Sequence, residues 1–82
     1  MKVIISPHAK KQFQKLQKFD QIVITKKIRL LPQQEQKLSG YVNLYRVRVG
    51  NYRIVYRKIT EIYIILIGHR KDIYRALGDL LR

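Results

Sequence analysis

Four arginines between residues 46 and 57 are the first groups in this sequence whose spacing can do chemistry. Arg46 and Arg48 alternate with Tyr45, Val47 and Val49; after Gly50 and Asn51, Arg53 and Arg57 alternate with Tyr52, Ile54 and Tyr56, and Val55 falls on the arginine side. A period of two is that of a strand, and two such runs about a Gly-Asn pair predict a hairpin. In that hairpin Val49 opposes Tyr52, Arg48 opposes Arg53 and Val47 opposes Ile54. Arg46, Arg48, Arg53 and Arg57 then share one side, which is expected to face solvent or a ligand because an unpaired guanidinium is too costly to bury. Like charges directly opposed destabilise a sheet, and no acid lies between Tyr41 and Lys58 to offset them. An anion is the natural complement. Phosphate fits because the planar guanidinium offers two parallel hydrogen bonds and keeps its charge at physiological pH. For any one arginine a merely solvated position is the competing reading; four on one side argue against it.

A second group follows the last apolar run: Gly68, His69, Arg70, Lys71, Asp72, Ile73 and Tyr74. Arg70 and Tyr74 stand four apart. On a helix starting at Arg70 they project from one side, placing a guanidinium beside a ring that can stack on a base. The competing reading has Tyr74 flanking the apolar stripe of Ile73 and Leu77. His69 is a candidate for proton transfer near neutral pH, or simply a polar residue at a strand end. Arg57 and Lys71 are further candidates for holding phosphate.

These groups need a scaffold. At 82 residues the chain supports one core, so residues 1–82 are expected to form a single domain. Lys2 to Ile5 reads as a strand, and Ser6 followed by Pro7 as a hydroxyl N-cap with proline at the first helical position. Ala9, Phe13 and Leu16 give the first helix its apolar face. Asp20 is the expected cap of a second helix, with Ile24, Ile28 and Leu31 as its stripe and Pro32 as its stop. Gln33 to Gln36 reads as a connector and Gly40 as a turn. After the hairpin, Lys58 to Glu61 should turn the chain, and Ile62 to Ile67, apolar throughout, suits a strand buried on both faces. Arg70 to Leu81 predicts a short C-terminal helix with Ile73, Leu77 and Leu80 on one face, weakened by Gly78. The expected fold is α+β: an N-terminal strand, a two-helix hairpin, a three-stranded antiparallel meander completing one sheet, and the short C-terminal helix.

Composition narrows the partners. Eighteen Lys and Arg face five acids, for a net charge of +13, which nucleic acid, an anionic membrane surface or an acidic protein could each balance. With 46% hydrophobic residues the chain is expected to fold rather than stay disordered. The absence of cysteine excludes a disulfide framework and a thiolate metal site, and fits a reducing compartment. No apolar run approaches the roughly 20 residues of a membrane span, and the first residues lack a signal-peptide core, so a cytoplasmic location is expected.

Lys37-Leu38-Ser39-Gly40, Leu44 to Tyr56, and Ile67-Gly68-His69-Arg70-Lys71-Asp72-Ile73-Tyr74-Arg75 resemble the RelE/ParE toxin superfamily, most closely its RelE branch. The order of strand, two helices and three strands is also that family's. The resemblance implies a bacterial or archaeal toxin of a type II toxin-antitoxin pair, which enters the ribosomal A site and cuts messenger RNA. It further implies attack of a ribose 2′ hydroxyl on the adjacent phosphate without metal or cofactor, with Arg46, Arg48, Arg53, Arg70 and Tyr74 at the matching catalytic positions. The implied partners are an acidic antitoxin, in a hetero-oligomer, and the ribosome with its messenger and ribosomal RNA. Lysines are common in the family where this chain has Arg46 and Arg48. Arginine scarcely deprotonates, so proton transfer falls to Tyr74, to His69, to ribosomal groups or to positioning of the 2′ hydroxyl. Two other functions stay open on the same fold: a ParE-like binder of DNA gyrase without nuclease activity, and a catalytically inactive module that binds RNA or antitoxin.

Overall fold

Residues 1–81 are described by the structure, a computed structural model. Ser6 does what its hydroxyl predicts, accepting the Ala9 N–H at 3.1 Å, so β1 (Val3–Ile5) runs without a loop into α1 (Pro7–Gln14). The next helix, α2 (Lys18–Ile28), begins before Asp20: its cap position is Gln17, which makes no side-chain cap bond. The Gln21 amide closes the end of α1 instead, donating to the carbonyls of Phe13 at 3.1 Å and Leu16 at 3.2 Å. Asp20 lies in the first turn, where a carboxylate suits the helix dipole, and accepts from the Tyr52 hydroxyl at 3.2 Å.

One five-stranded sheet carries everything else. Its order is β1-β5-β4-β3-β2, with β3 (Leu44–Val49), β4 (Tyr52–Lys58) and β5 (Ile62–His69) as the antiparallel meander and β1 parallel to β5. The hairpin register is as alternation predicts: Val49 opposite Tyr52, Arg48 opposite Arg53, Val47 opposite Ile54. Gly50, at φ 58, supplies the left-handed conformation at the first of the two loop positions. The Gln-rich connector contains one more strand, β2 (Gln36–Lys37), pairing with Arg46 and Tyr45 at the sheet edge. Nothing in its composition signals a strand. Glu35, just before it, accepts from both the Tyr56 hydroxyl and the Lys58 ammonium and so fastens the segment to the sheet.

Helices cover both sides of the sheet except at its far end, where Arg57 and Tyr63 are exposed. α1 and α2 cover Val47, Val49, Ile54, Tyr56, Ile62, Ile64 and Ile67; α3 (Ile73–Leu80) covers Leu44, Val55, Ile65 and Leu66 through Ile73 and Leu77. A bulge in β5 makes this possible: Val55 pairs with Leu66 but Tyr56 with Ile64, so Ile65 is extra and shares a side with Leu66. The C-terminal helix starts at Ile73 rather than Arg70, and Leu80 is exposed: Ile73 and Leu77 are the helix residues buried against the sheet, with Ala76 packed partly beside them. Gly68 permits the docking: a Cβ there would stand 3.2 Å from the Ile73 Cδ1. Among the described residues no helix is long and apolar enough to cross a membrane.

Candidate nucleic-acid interface

The arginine side of the hairpin is not open along its length. Leu44 and Val55 lie on it and are buried under α3, which divides the arginines into two groups. Arg57 is exposed at the far end, lining a shallow surface with Ile59, Thr60, Glu61 and Tyr63. Arg46, Arg48 and Arg53 stand at the near end, toward the hairpin tip.

Arg53 contradicts the expectation that no guanidinium on this side is buried. It is only 9% exposed. Its Nη1 donates to the carbonyls of Gly50 at 2.9 Å and Tyr52 at 2.8 Å, whereas its Nε is buried with no partner among the described residues. Burial, and next the charge of Arg48 directly opposite, lower the Arg53 pKa; Arg46 and Arg70 act in the same direction and Tyr74 opposes them. The side chain remains a cation, since no physiological pH deprotonates arginine. The sheet tolerates this burial because the hairpin's own carbonyls solvate part of the group.

Tyr74 reaches the same cluster by a different partnership from the one its spacing suggested. Arg70 precedes α3, in the turn, where its N–H donates to the Asn51 carbonyl at 2.7 Å and ties that turn to the hairpin tip. The cation against Tyr74 is Arg46: its Nη1 donates to the Tyr74 hydroxyl, and its guanidinium carbon stands 5.8 Å from the ring centroid. The other edge of Arg46 is held by Gln36, whose Oε1 accepts from Nε at 3.1 Å and Nη2 at 2.6 Å. Gln36 comes from β2, so the strand that composition concealed is the one that aims Arg46.

His69 is placed away from this cluster. It pairs with Tyr52, and the two rings meet edge to face at 5.9 Å on the side of the sheet that α1 and α2 cover. Its Nδ1 accepts the Lys71 N–H at 3.2 Å. Tyr52 itself, held by burial and by its bond to Asp20, has a raised pKa. Lys71 is exposed in the turn beside Arg70. The structure thus gathers Arg46, Arg48, Arg53, Arg70 and Tyr74, leaves Arg57 and His69 outside, and adds Gln36. It also draws Lys27 of α2 and Gln34 into a recess with Arg46 and Arg48. The only sequence signal for these was Gln34 and Gln36 flanking an acid at alternate positions.

What this arrangement can do is stabilise a doubly esterified or pentacoordinate phosphate. Arg46 and Arg53, held by their hydrogen bonds, are cations with little freedom to reorganise, and such cations lower the energy of charge developing on phosphorus. Because the Tyr74 oxygen accepts from Arg46, its own hydrogen is free to be donated outward.

Known proteins place the cluster in context. The sequence model of the family described as ParE toxin of type II toxin-antitoxin system, parDE, matches residues 3–74. Among solved structures the chain is similar to a chain of the Methanococcus jannaschii RelB-RelE antitoxin-toxin complex, at 26% identity and a TM-score of 0.73, covering 87% of this chain and 94% of that one. It is similar to a chain of the intact E. coli RelBE toxin-antitoxin complex at 25% identity and a TM-score of 0.69, covering 82% and 93%. The isolated E. coli RelE toxin shares the fold at 23% identity and a TM-score of 0.72, covering 98% and 97%. No curated protein matches the chain by sequence.

Proposed function

Because the chain belongs to the ParE toxin family of type II toxin-antitoxin systems, within the RelE/ParE superfamily and on its RelE-like branch, we propose that it is a ribosome-dependent endoribonuclease that cuts messenger RNA in the A site. The observation that carries this reading is Arg53: a guanidinium nine-tenths buried, with an unpartnered Nε, among Arg46, Arg48, Arg70 and Tyr74. A fold retains such a group where an anion completes it.

In the proposed reaction the ribose 2′ oxygen attacks the adjacent phosphorus, forms a cyclic phosphate and expels the 5′ oxygen of the next nucleotide. Arg53 and Arg48 hold the non-bridging oxygens and stabilise the extra charge. Tyr74, oriented by Arg46, donates its proton to the departing 5′ oxygen. His69 takes no part from where it lies. The 2′ hydroxyl is activated by alignment and loses its proton to a ribosomal group, so the nuclease needs the ribosome to complete its site.

An acidic antitoxin is the proposed partner, as the solved RelE relatives bound to RelB suggest. α2 offers a surface for it. Phe19, Ile22 and Val23 are exposed, and a groove lined by Phe13 and Ile22 is rimmed by Lys18, Lys26 and Arg29, the complement of an acidic amphipathic segment. α3 rests on two buried side chains, worth about 1.5–3 kcal/mol each, so the same partner can displace it.

Primer extension on a defined messenger programmed into purified ribosomes tests the reading. Discrete A-site cuts that need ribosomes and vanish with Arg53→Ala and Arg70→Ala are expected. One other reading stays open, a ParE-like toxin that binds DNA gyrase without cutting RNA, since the matching family model is the one described as ParE toxin. Intact messenger together with chromosome damage would establish that reading and overturn the nuclease.

A further inference from the structure

Beside the cluster, at the β2 edge of the sheet, lies a recess of about 170 Å³ walled by Lys27, Gln34, Gln36, Arg46 and Arg48. Both glutamine carbonyls are already used. Gln34 Oε1 accepts from the Lys27 ammonium, and Gln36 Oε1 accepts from Arg46 at Nε and Nη2. Cations on those oxygens occupy the acceptors and leave the Nε2 groups of both glutamines, which line the recess, as donors. The groups left over are two amide N–H pairs, the Arg48 guanidinium and the remaining protons of Lys27, all donors.

The nearest acid does not neutralise them. Glu35 sits between Gln34 and Gln36 in sequence but turns to the other side, to the Tyr56 hydroxyl and Lys58. A glutamate at position 34 or 36 would hold Lys27 or Arg46 equally well and cancel its charge. Glutamine holds the cation and leaves the charge for a ligand. Gln34 also adopts φ 63, a conformation uncommon for a residue with a side chain, which presents it at this point of the turn.

We propose that this recess is a second phosphate subsite, which holds the phosphodiester flanking the one cut over Arg53 in the same RNA strand. The proposal rests on the nuclease reading above. Arg48 is common to both places: it lines the recess and stands directly opposite Arg53 in the hairpin. From β4 to β2 is two strand spacings, about 10 Å, so a strand laid across the sheet from Arg53 arrives over the recess. The subsite positions the strand and reads no base, since phosphate contacts set register without carrying sequence.

The test uses the intact protein and a short single-stranded RNA whose attacking 2′ hydroxyl is replaced by hydrogen, so that it binds without being cut. Affinity is measured against salt for the unaltered protein, Lys27→Ala, Gln34→Glu and, as a control on α1, Lys10→Ala. Lys27→Ala is expected to reduce the slope of log affinity against log salt by about 0.7, the loss of one phosphate contact on a single strand. Gln34→Glu should do the same while adding an ion pair, which separates the effect from loss of folding. Lys10→Ala should change nothing. A neutral methylphosphonate at the flanking linkage should weaken the unaltered protein several-fold and Lys27→Ala no further. A Lys27→Ala slope equal to the unaltered one, or a methylphosphonate penalty equal in both proteins, overturns the subsite. Ribosome-dependent cleavage measured in parallel separates the two failures: cleavage with no Lys27 effect removes the subsite alone, whereas no cleavage by the unaltered protein removes the nuclease.

Discussion

Replacing Arg53 by methionine should make this protein more stable and inactive. Methionine fills a similar unbranched volume without the charge. The change removes a buried, unpartnered Nε, which costs about 1–3 kcal/mol in the folded state, and a like charge directly opposite Arg48, worth about 0.2–1 kcal/mol. Against this stand the two Nη1 bonds, to Gly50 and Tyr52. Gly50 is exposed at the hairpin tip, so its carbonyl can take water instead, and only the Tyr52 bond is lost in full. The balance is a gain of about 1 kcal/mol, or a melting temperature about 4–8 °C higher for a domain of this size. Thermal unfolding by circular dichroism, run with and without sulfate, reads both halves of the reasoning. Sulfate should raise the melting temperature of the unaltered protein and leave Arg53→Met unmoved, because a ligand stabilises only the state that binds it. A melting temperature lowered by the substitution would refute the claim that Arg53 is held at a cost to the fold. An equal sulfate response in both proteins would refute its role in binding an anion.

Tyr74→Phe should cut messenger cleavage by about 10²-fold or more, as expected when a proton donor is lost, with stability unchanged within about 0.5 kcal/mol because the ring is exposed; single-turnover cleavage and a thermal melt check the two parts. Burial and Glu35 raise the Tyr56 pKa, so above about pH 10 the unfolded chain loses that proton first and stability falls by up to about 1.4 kcal/mol per pH unit, an effect absent below that pH. Denaturant midpoints between about pH 9 and 11 should therefore decline less steeply for Tyr56→Phe than for the unaltered protein. Phe19→Asp should weaken antitoxin binding at least about tenfold and leave cleavage by free toxin intact, read by titration calorimetry and primer extension; undiminished affinity would remove α2 from the antitoxin interface.

Local patterning determined much of this protein. The alternation of Tyr45 to Tyr56 about Gly50 and Asn51 dictated the hairpin register and the side each arginine takes, because side chains in a strand alternate whatever surrounds them. Ser6 and Pro7 marked the start of α1 for an equally local reason, a hydroxyl within reach of a free N–H. Ile62 to Ile67 announced burial on both faces, which holds except at Tyr63, exposed beside Arg57, but not which residue goes where. The bulge that sends Ile65 and Leu66 to one side and Ile64 and Ile67 to the other depends on pairing with β4, and a continuous apolar run carries no period to reveal it.

The site divides along the same line. Charge type and spacing were enough to nominate Arg46, Arg48, Arg53, Arg70 and Tyr74, since the sequence holds every cation they contribute. Tertiary structure alone decided that Arg53 is buried, that Arg46 and not Arg70 stands against Tyr74, that His69 turns to Tyr52, and that Gln36 and Lys27 belong to the neighbourhood. The Arg46 contacts depend on where α3 and the Gln34–Gln36 segment dock, between residues 10 to 28 apart in sequence, and the His69 contact depends on the pairing of β4 with β5. A period of two says which way a side chain points; what it meets there is set by elements the strand does not contain.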